Sequence, residues 1–281
     1  MKKKVWLIVF ILFFVTESMD LIIGMSVAGK PVAEMPDIAE TDADKIVQAG
    51  FNYMRGKASV STVIMKVQRP DWSREVTIKA WTRGEKESIF QIMAPAKDKG
   101  NGTLKKGREM WTYNPKVNRV IKLPPSMMSQ AWMGSDFSNN DLAKSDSLLH
   151  DYIHTLEGTE THEGKIVYLI KSMPKPEAPV VWGMQKLKFR QDNIMLVQEF
   201  YDEDLKPVKK MVSSQIQMMG GSQATGGSQA TGGRLFPKFT KMQKADTPSD
   251  EYTLLEYVDL EFKDTLPDNM FSISELKKIR R

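Results

Sequence analysis

The sequence predicts a mainly β protein with few helices, built as one large curved antiparallel sheet or incomplete barrel. Three observations carry this expectation. From Ala58 onward, apolar and polar residues alternate in run after run, the period of side chains along a strand. Tight turn signals such as Glu163-Gly164, Asp192-Asn193 and Asp202-Glu203-Asp204 separate the runs, as they do in consecutive hairpins. Only one stretch, near residue 50, shows a sustained helical repeat.

The chain starts with Lys2, Lys3 and Lys4 and an apolar run from Val5 to Val15. A basic start and a short apolar core form a secretory signal, too short for a membrane span of roughly 20 residues. Ser26-Val27-Ala28 places small residues where a signal peptidase reads. The expectation is a signal peptide over 1–28, cleaved before Gly29, and a single domain over 29–281. The alternative is an uncleaved anchor that adds Leu21–Met25 to its apolar length. Residues 29–40 read as a flexible lead. Thr41 can cap a helix, and Ile46, Val47, Ala49, Phe51 and Met54 recur at helical spacing up to a stop at Gly56, which predicts a helix over 42–55.

Strands are expected around Val60–Val67, Val76–Trp81 and Ile89–Met93. Several carry apolar residues on both faces, whereas a sheet over one core shows a polar outer face. Either one face packs on a core and the other lines a cavity, or both belong to a sandwich core. From Lys99 to Lys122 the pattern gives two short strands joined by a Gly turn, with Trp111 and Tyr113 on one face. Pro124-Pro125 ends the sheet pattern. A greasy flap over 125–133, counted among the few helices, follows (Met127, Met128, Trp132, Met133), then a polar hinge, Gly134-Ser135-Asp136-Phe137. Strand pair, flap and hinge read as a lid over an apolar site. A turn is expected near Asp141–Leu149, and strands near 150–160, 165–173, 183–191, 194–201, 206–218, 235–244 and 252–263.

Gly220–Gly233 reads GGSQAT, GGSQAT, GG. Such Gly/Ser-rich sequence is flexible. It lies between two alternating segments that should pair as a hairpin, and excising both hexapeptides leaves a Gly-Gly turn. A slipped repeat or an engineered insert at a hairpin tip accounts for it.

Several kinds of chemistry have no support in the sequence. There is no Cys, which excludes disulfides, thiolate metal sites, a Cys nucleophile and a lipid-modified N-terminal Cys. His150 and His154 stand four apart but lie in strand-like sequence with no third ligand, so no metal site is expected. There is no G-x-S-x-G elbow, and Gly158–Lys165 lacks the spacing of a P-loop. The net charge is +5, the basic residues form no long run, and Lys277–Arg281 reads as a solvated tail. No nucleic-acid motif occurs. The outlier is Met, with 19 residues, a flexible and polarizable side chain suited to varied apolar ligands.

Lys99-Gly100, Leu104, Met110-Trp111, Tyr113, Pro115, Arg119, Gly134-Ser135-Asp136-Phe137 and Asp141 follow the order of features of the outer-membrane lipoprotein-sorting (LolA-like) family, which the chain resembles. Asn139-Asn140 departs from the family's usual aromatic and acidic pair. The resemblance implies an incomplete antiparallel barrel closed by a helical lid, working in the periplasm as a carrier that shields acyl chains of lipoproteins or other lipids. On that reading Trp81, Phe90, Trp111 and Tyr113 would form the cavity wall. Met127, Met128, Trp132 and Met133 would form the lid, and Gly134, Ser135, Asp136 and Phe137 its hinge and clasp. No catalytic residue, metal or cofactor is expected, and a monomer is. The alternative is an adaptor that docks on an RND-type inner-membrane transporter without itself carrying lipid.

Overall fold

The computed structural model describes residues 42–220 and 233–278. The expected signal peptide, the lead up to Thr41 and most of the repeat loop lie outside the described residues. Helix α1 (Ala43–Arg55) begins at Asp42, whose carboxylate accepts the Lys45 N–H at 3.2 Å, and ends at Gly56. The cap is therefore Asp42, one residue beyond the Thr41 expected. Its buried face (Ala43, Val47, Gly50) packs on Leu148, Ile170, Leu187 and Phe189. A Cβ at Gly50 would come within 2.2 Å of the Phe189 ring, so glycine there is what lets the helix settle onto the sheet.

Thirteen strands follow among the described residues. They are β1 (Ala58–Gln68), β2 (Ser73–Arg83), β3 (Glu87–Ala94), β4 (Gly102–Lys106), β5 (Glu109–Asn114), β6 (Arg119–Lys122), β7 (Tyr152–His162), β8 (Lys165–Pro174), β9 (Met184–Arg190), β10 (Met195–Tyr201), β11 (Pro207–Met219), β12 (Arg234–Lys244) and β13 (Tyr252–Lys263). They form one antiparallel sheet in the order β6-β5-β4-β3-β2-β1-β13-β12-β11-β10-β9-β8-β7. The sheet is thus two hairpin meanders, β1–β6 and β7–β13, joined at a seam between β1 and β13. Its edges, β6 and β7, do not pair with each other, so the barrel is not closed.

The alternation located nearly every strand to within two or three residues. Residues 99–122 hold three strands rather than two, because Arg119–Lys122 adds a short edge strand against β5. The flap differs more. Two 3-10 turns, Pro125–Met127 and Trp132–Gly134, replace a continuous helix over 125–133. Pro124-Pro125 starts the first turn, and Met133 at φ 52 with Gly134 at φ 74 breaks the second, a backbone that cannot propagate an α-helix. Two short helices follow, α2 (Asn139–Ala143) and α3 (Ser147–His150). The last element is α4 (Ile273–Leu276). The β11–β12 hairpin forms as expected, with Met219 opposite Arg234 as its closing pair.

The β1–β5 half of the sheet is covered on both faces. On one face, Trp81, Ile89, Leu104 and Tyr113 pack with Leu266, Met270, Phe271 and Leu276 of the C-terminal segment. Gln91, on the same face, donates from Nε2 to the Leu276 carbonyl at 3.1 Å. A Cβ at Gly102 would meet Leu276 at 2.7 Å, so this glycine lets α4 lie directly on β4. The chain therefore remains packed as far as Leu276, and of the described residues beyond it Lys277 and Lys278 are exposed. On the other face, Val63, Ile78, Ala80 and Phe90 look into a cavity.

Candidate functional site

The cavity has a volume of about 390 Å³, within the ~300–1,000 Å³ span of small-molecule pockets. Its floor is the inner face of β1–β3 and β10–β13, with Val63, Ile78, Phe200, Met242, Leu255 and Leu260. One side is α1, through Phe51, Met54 and Arg55, and another is Trp182 from the loop before β9. The roof is the 131–148 segment, which contributes Trp132, Phe137, Leu142 and Leu148. Phe90 and Trp132 meet edge-on with ring centroids 5.4 Å apart, and Trp182 and Phe200 lie 5.2 Å apart, arrangements that suit the ring quadrupoles.

Polar bonds fasten this roof. Ala131 and Ser138 form a β-bridge, and the Trp132 N–H donates to the Phe137 carbonyl at 2.7 Å, closing residues 132–137 into a tight loop. The Trp132 indole N–H donates to Thr103 Oγ1 at 3.1 Å. Asp136, 4% exposed, takes Arg69 Nη2 at 2.8 Å and the Thr253 hydroxyl at 2.7 Å, while its own N–H donates to Thr253 Oγ1 at 2.9 Å. Arg74 donates to the Met133 carbonyl at 3.1 Å. Lys209 pairs with Asp141 and lies 4.9 Å from the Trp182 ring centroid. Buried ion pairs of this kind give little net stability but fix geometry, since either partner alone would be a stranded charge.

The predicted site residues divide between the two faces. Phe90, Trp132 and Phe137 line the cavity. Trp81, Trp111 and Tyr113 do share one face, as their spacing requires, but it is the face covered by the C-terminal segment. Met127 and Met128 pack beside the cavity roof on Met110, Leu123 and Ala143. Met133 packs on the cluster around Trp132. Gly134 turns the loop, and buried Ser135 donates its hydroxyl to the Trp132 carbonyl at 2.7 Å. Of the methionines, Met54, Met195, Met211 and Met242 reach the cavity. Sequence reasoning missed Phe51 and Arg55 of α1 and Trp182, which enter from elements remote from the lid motif. The helical repeat in α1 marked an apolar face, and that was the one signal that pointed to Phe51.

Burial dominates the electrostatics around the site. Lys105 is fully buried, with its ammonium 3.2 Å from Asp146 and 2.9 Å from the Glu85 carbonyl. Burial pushes its pKa down, opposed by Asp146 and reinforced by nearby Arg55. Burial also pulls Arg55 down, opposed by Asp146, Tyr257 and Glu85, and lowers Lys144, another cavity residue, with Arg108 adding repulsion. Tyr152, which donates to the Trp182 carbonyl at 2.9 Å, is pushed up to about 12 by burial. His154 lies on β7, apart from His150, which pairs with Glu85 at 2.7 Å. Among the described residues no group of three or more His, Cys, Asp or Glu could hold a metal ion.

A family model described as "-like: Uncharacterized protein" matches residues 84–278, well over half of the chain. The chain belongs to this family. Its fold is the LolA-like one of outer-membrane lipoprotein-sorting proteins. A lipoprotein-sorting protein domain from Vibrio parahaemolyticus shares it at TM-score 0.67 and 19% identity, covering 84% of this chain and 98% of that one. A LolA superfamily protein from Nitrosomonas europaea does so at TM-score 0.64 and 22% identity, over 84% and 99% of the two chains. A DUF1329 family protein from Desulfovibrio piger reaches TM-score 0.69 at 20% identity, over 84% of this family member and all of that chain. No curated protein matches.

Proposed function

We propose that this LolA-like protein is a periplasmic carrier that shields acyl chains of lipoproteins or lipids in the cavity under Trp132 and Phe137 and moves them toward the outer membrane. The observation that carries the reading is the 390 Å³ cavity walled mainly by aromatic, Met and aliphatic side chains. Leaving such a surface unfilled forfeits dispersion contacts, so a site of this size and lining is best explained by an apolar ligand. Each methylene exposed to water costs about 0.8 kcal/mol, so a chain of about fifteen costs on the order of 12 kcal/mol in transit between membranes. The fold supports the reading further, since the N. europaea and V. parahaemolyticus structures named above carry the same sheet. The export signal read in residues 1–28 supports the compartment. The cavity wall of this proposal is Phe90, Trp132 and Phe137 together with Phe51, Met54 and Trp182. Residues 131–141 are the movable cover, and Asp136 with Asp141 is its fastening.

The test is gentle purification of the mature protein, extraction with organic solvent and mass spectrometry of the extract. Co-purified lipid or acylated peptide is the expected result. A clean extract, with no uptake of added fatty acid, overturns the carrier reading. Tight binding to an inner-membrane transporter by such a lipid-free protein would establish the adaptor instead.

A further inference from the structure

The cavity wall is mostly apolar, with polar side chains also on the roof and on β9–β12, and one polar cluster lies at the end near the α1 C-terminus. There a cross-strand row of hydroxyl residues, Ser59, Thr82 and Ser88, faces inward, with Ser59 Oγ 2.8 Å from Thr82 Oγ1. Arg55 stands over this row. Its Nη2 donates to Ser88 Oγ at 2.8 Å and to the Glu87 carbonyl at 3.1 Å, and its Nε donates to the Gly84 carbonyl. All three acceptors are neutral. Among the described residues no carboxylate lies within ion-pair distance of Arg55. The nearby carboxylate, Asp146, is already engaged by Lys105.

The cations that fasten the roof are paired: Arg69 has Asp136, and Lys209 has Asp141. The two cations that line the cavity, Arg55 and Lys144, have no carboxylate within ion-pair distance among the described residues; Lys144 donates to the Pro179 carbonyl at 2.8 Å, and half-buried Arg55 is held by neutral acceptors beside the hydroxyl row. Arg55 also lines a second, more open depression of about 790 Å³ on the outside of the cavity's polar end. Five Lys and Arg side chains border it (Arg55, Lys57, Arg83, Lys86, Lys106) against two carboxylates, Glu85 and Glu87. Glu87 is paired with Arg83 at 2.7 Å, and Glu85 with His150.

We propose that the cavity's ligand is an amphiphile with an anionic head group, a carboxylate or a phosphate, held by Arg55 where the apolar chamber meets this basic depression. The inference rests on the carrier reading and deepens it by naming the ligand class. The forked guanidinium is suited to either anion. The hydroxyl row offers further donors, and Lys57, Lys86 and Lys106 draw the anion to the entrance.

Trp132 and Trp182 line the cavity, so brominated ligands that enter should quench their fluorescence. The probes are 9,10-dibromostearate, its uncharged methyl ester, and dibromostearoyl lysophosphatidic acid. The expected result is that the wild-type protein binds one or both anionic probes about tenfold or more tightly than the ester, the worth of a charged hydrogen bond. Whichever anion shows the larger preference identifies carboxylate or phosphate as the head group. Arg55→Gln should collapse the ratio between anionic probes and ester to about one. Arg55→Lys, which keeps the charge without the fork, should retain part of the preference. Equal wild-type binding of acid, phosphate and ester overturns the anion site while the carrier reading stands. So does a full preference surviving in Arg55→Gln. Absence of quenching by every probe overturns both. If Arg55→Gln does not fold by circular dichroism, the wild-type ratio and the Arg55→Lys variant decide the matter.

Discussion

Two segments cover the β1–β5 half of the sheet, one on each face, and they are built differently. The C-terminal cover, from Leu266 to Leu276, is an apolar plug in which Phe271, Met270 and Leu276 fill the space over Trp81 and Leu104. The 131–148 cover spans a chamber; Trp132 and Phe137 pack on its apolar wall, and Arg69–Asp136, Thr253, Thr103 and Lys209–Asp141 bond it to the sheet. A plug made of close-packed carbon comes off only when the protein unfolds, because all of its contacts are lost together. A cover held by a few hydrogen bonds and ion pairs can exchange them for water or for a partner's groups at modest net cost. The first cover belongs to stability and the second is suited to opening.

The plug is the larger target. Phe271→Ala should cost about 3–5 kcal/mol in chemical denaturation while leaving quenching by brominated stearate unchanged in the molecules that remain folded. A small cost, or altered ligand binding, would erase the division of labour between the two faces. Asp136→Ala comes next. It strands Arg69, but that side chain is 17% exposed and reaches water, so the expected loss is about 1–3 kcal/mol. Its diagnostic effect is local: amide exchange should speed up across 131–141 and not across 264–278.

Acid sharpens the comparison. The His154 Nε2–H donates to the Leu148 carbonyl at 2.9 Å, tying α3 and hence the edge of the chamber roof to β7. Burial holds the His154 pKa below 6.5, so the unfolded chain binds the proton first. Stability then falls as pH drops below about 6.5 and continues to fall until the folded-state value is passed, with a slope of at most about 1.4 kcal/mol per pH unit. His154→Gln should flatten the stability profile in that window, and an unchanged slope would remove His154 from the account. The smallest effect is expected where neither cover reaches. Deleting Gly220–Thr231 leaves Gly232-Gly233 between the paired residues Met219 and Arg234, a two-residue hairpin connection. Stability in chemical denaturation should change by less than about 2 kcal/mol. Loss of soluble expression would show that the repeat takes part in folding.

The strands were legible because alternation is local, and the hairpins because turn residues are local. The parity of Trp111 and Tyr113 was equally legible. Which side of the sheet that parity faced was not, because the plug that settles it lies at the far end of the chain, in residues 266–276. Arg55 was hidden for a related reason. In sequence it is one basic residue in the last turn of an amphipathic helix, where a positive charge is ordinary. Its lack of a carboxylate partner emerges only when α1 lies beside Gly84, Glu87 and Ser88. The flap misled in a different way: it was expected to be helical, but Met133 and Gly134 at positive φ break a helix there.

The seam between β1 and β13 has a consequence for how this protein is made. Ala58 pairs with Lys263 and Gln68 with Tyr252, so the first and last strands meet in the middle of the sheet. Until β13 has emerged from synthesis, the two meanders have no ladder joining them and the chamber floor is split. Completion waits on a contact of very long sequence separation, which is slow to form. A nascent chain would therefore stay open along this line, and the chamber would be completed only once its last strand arrived.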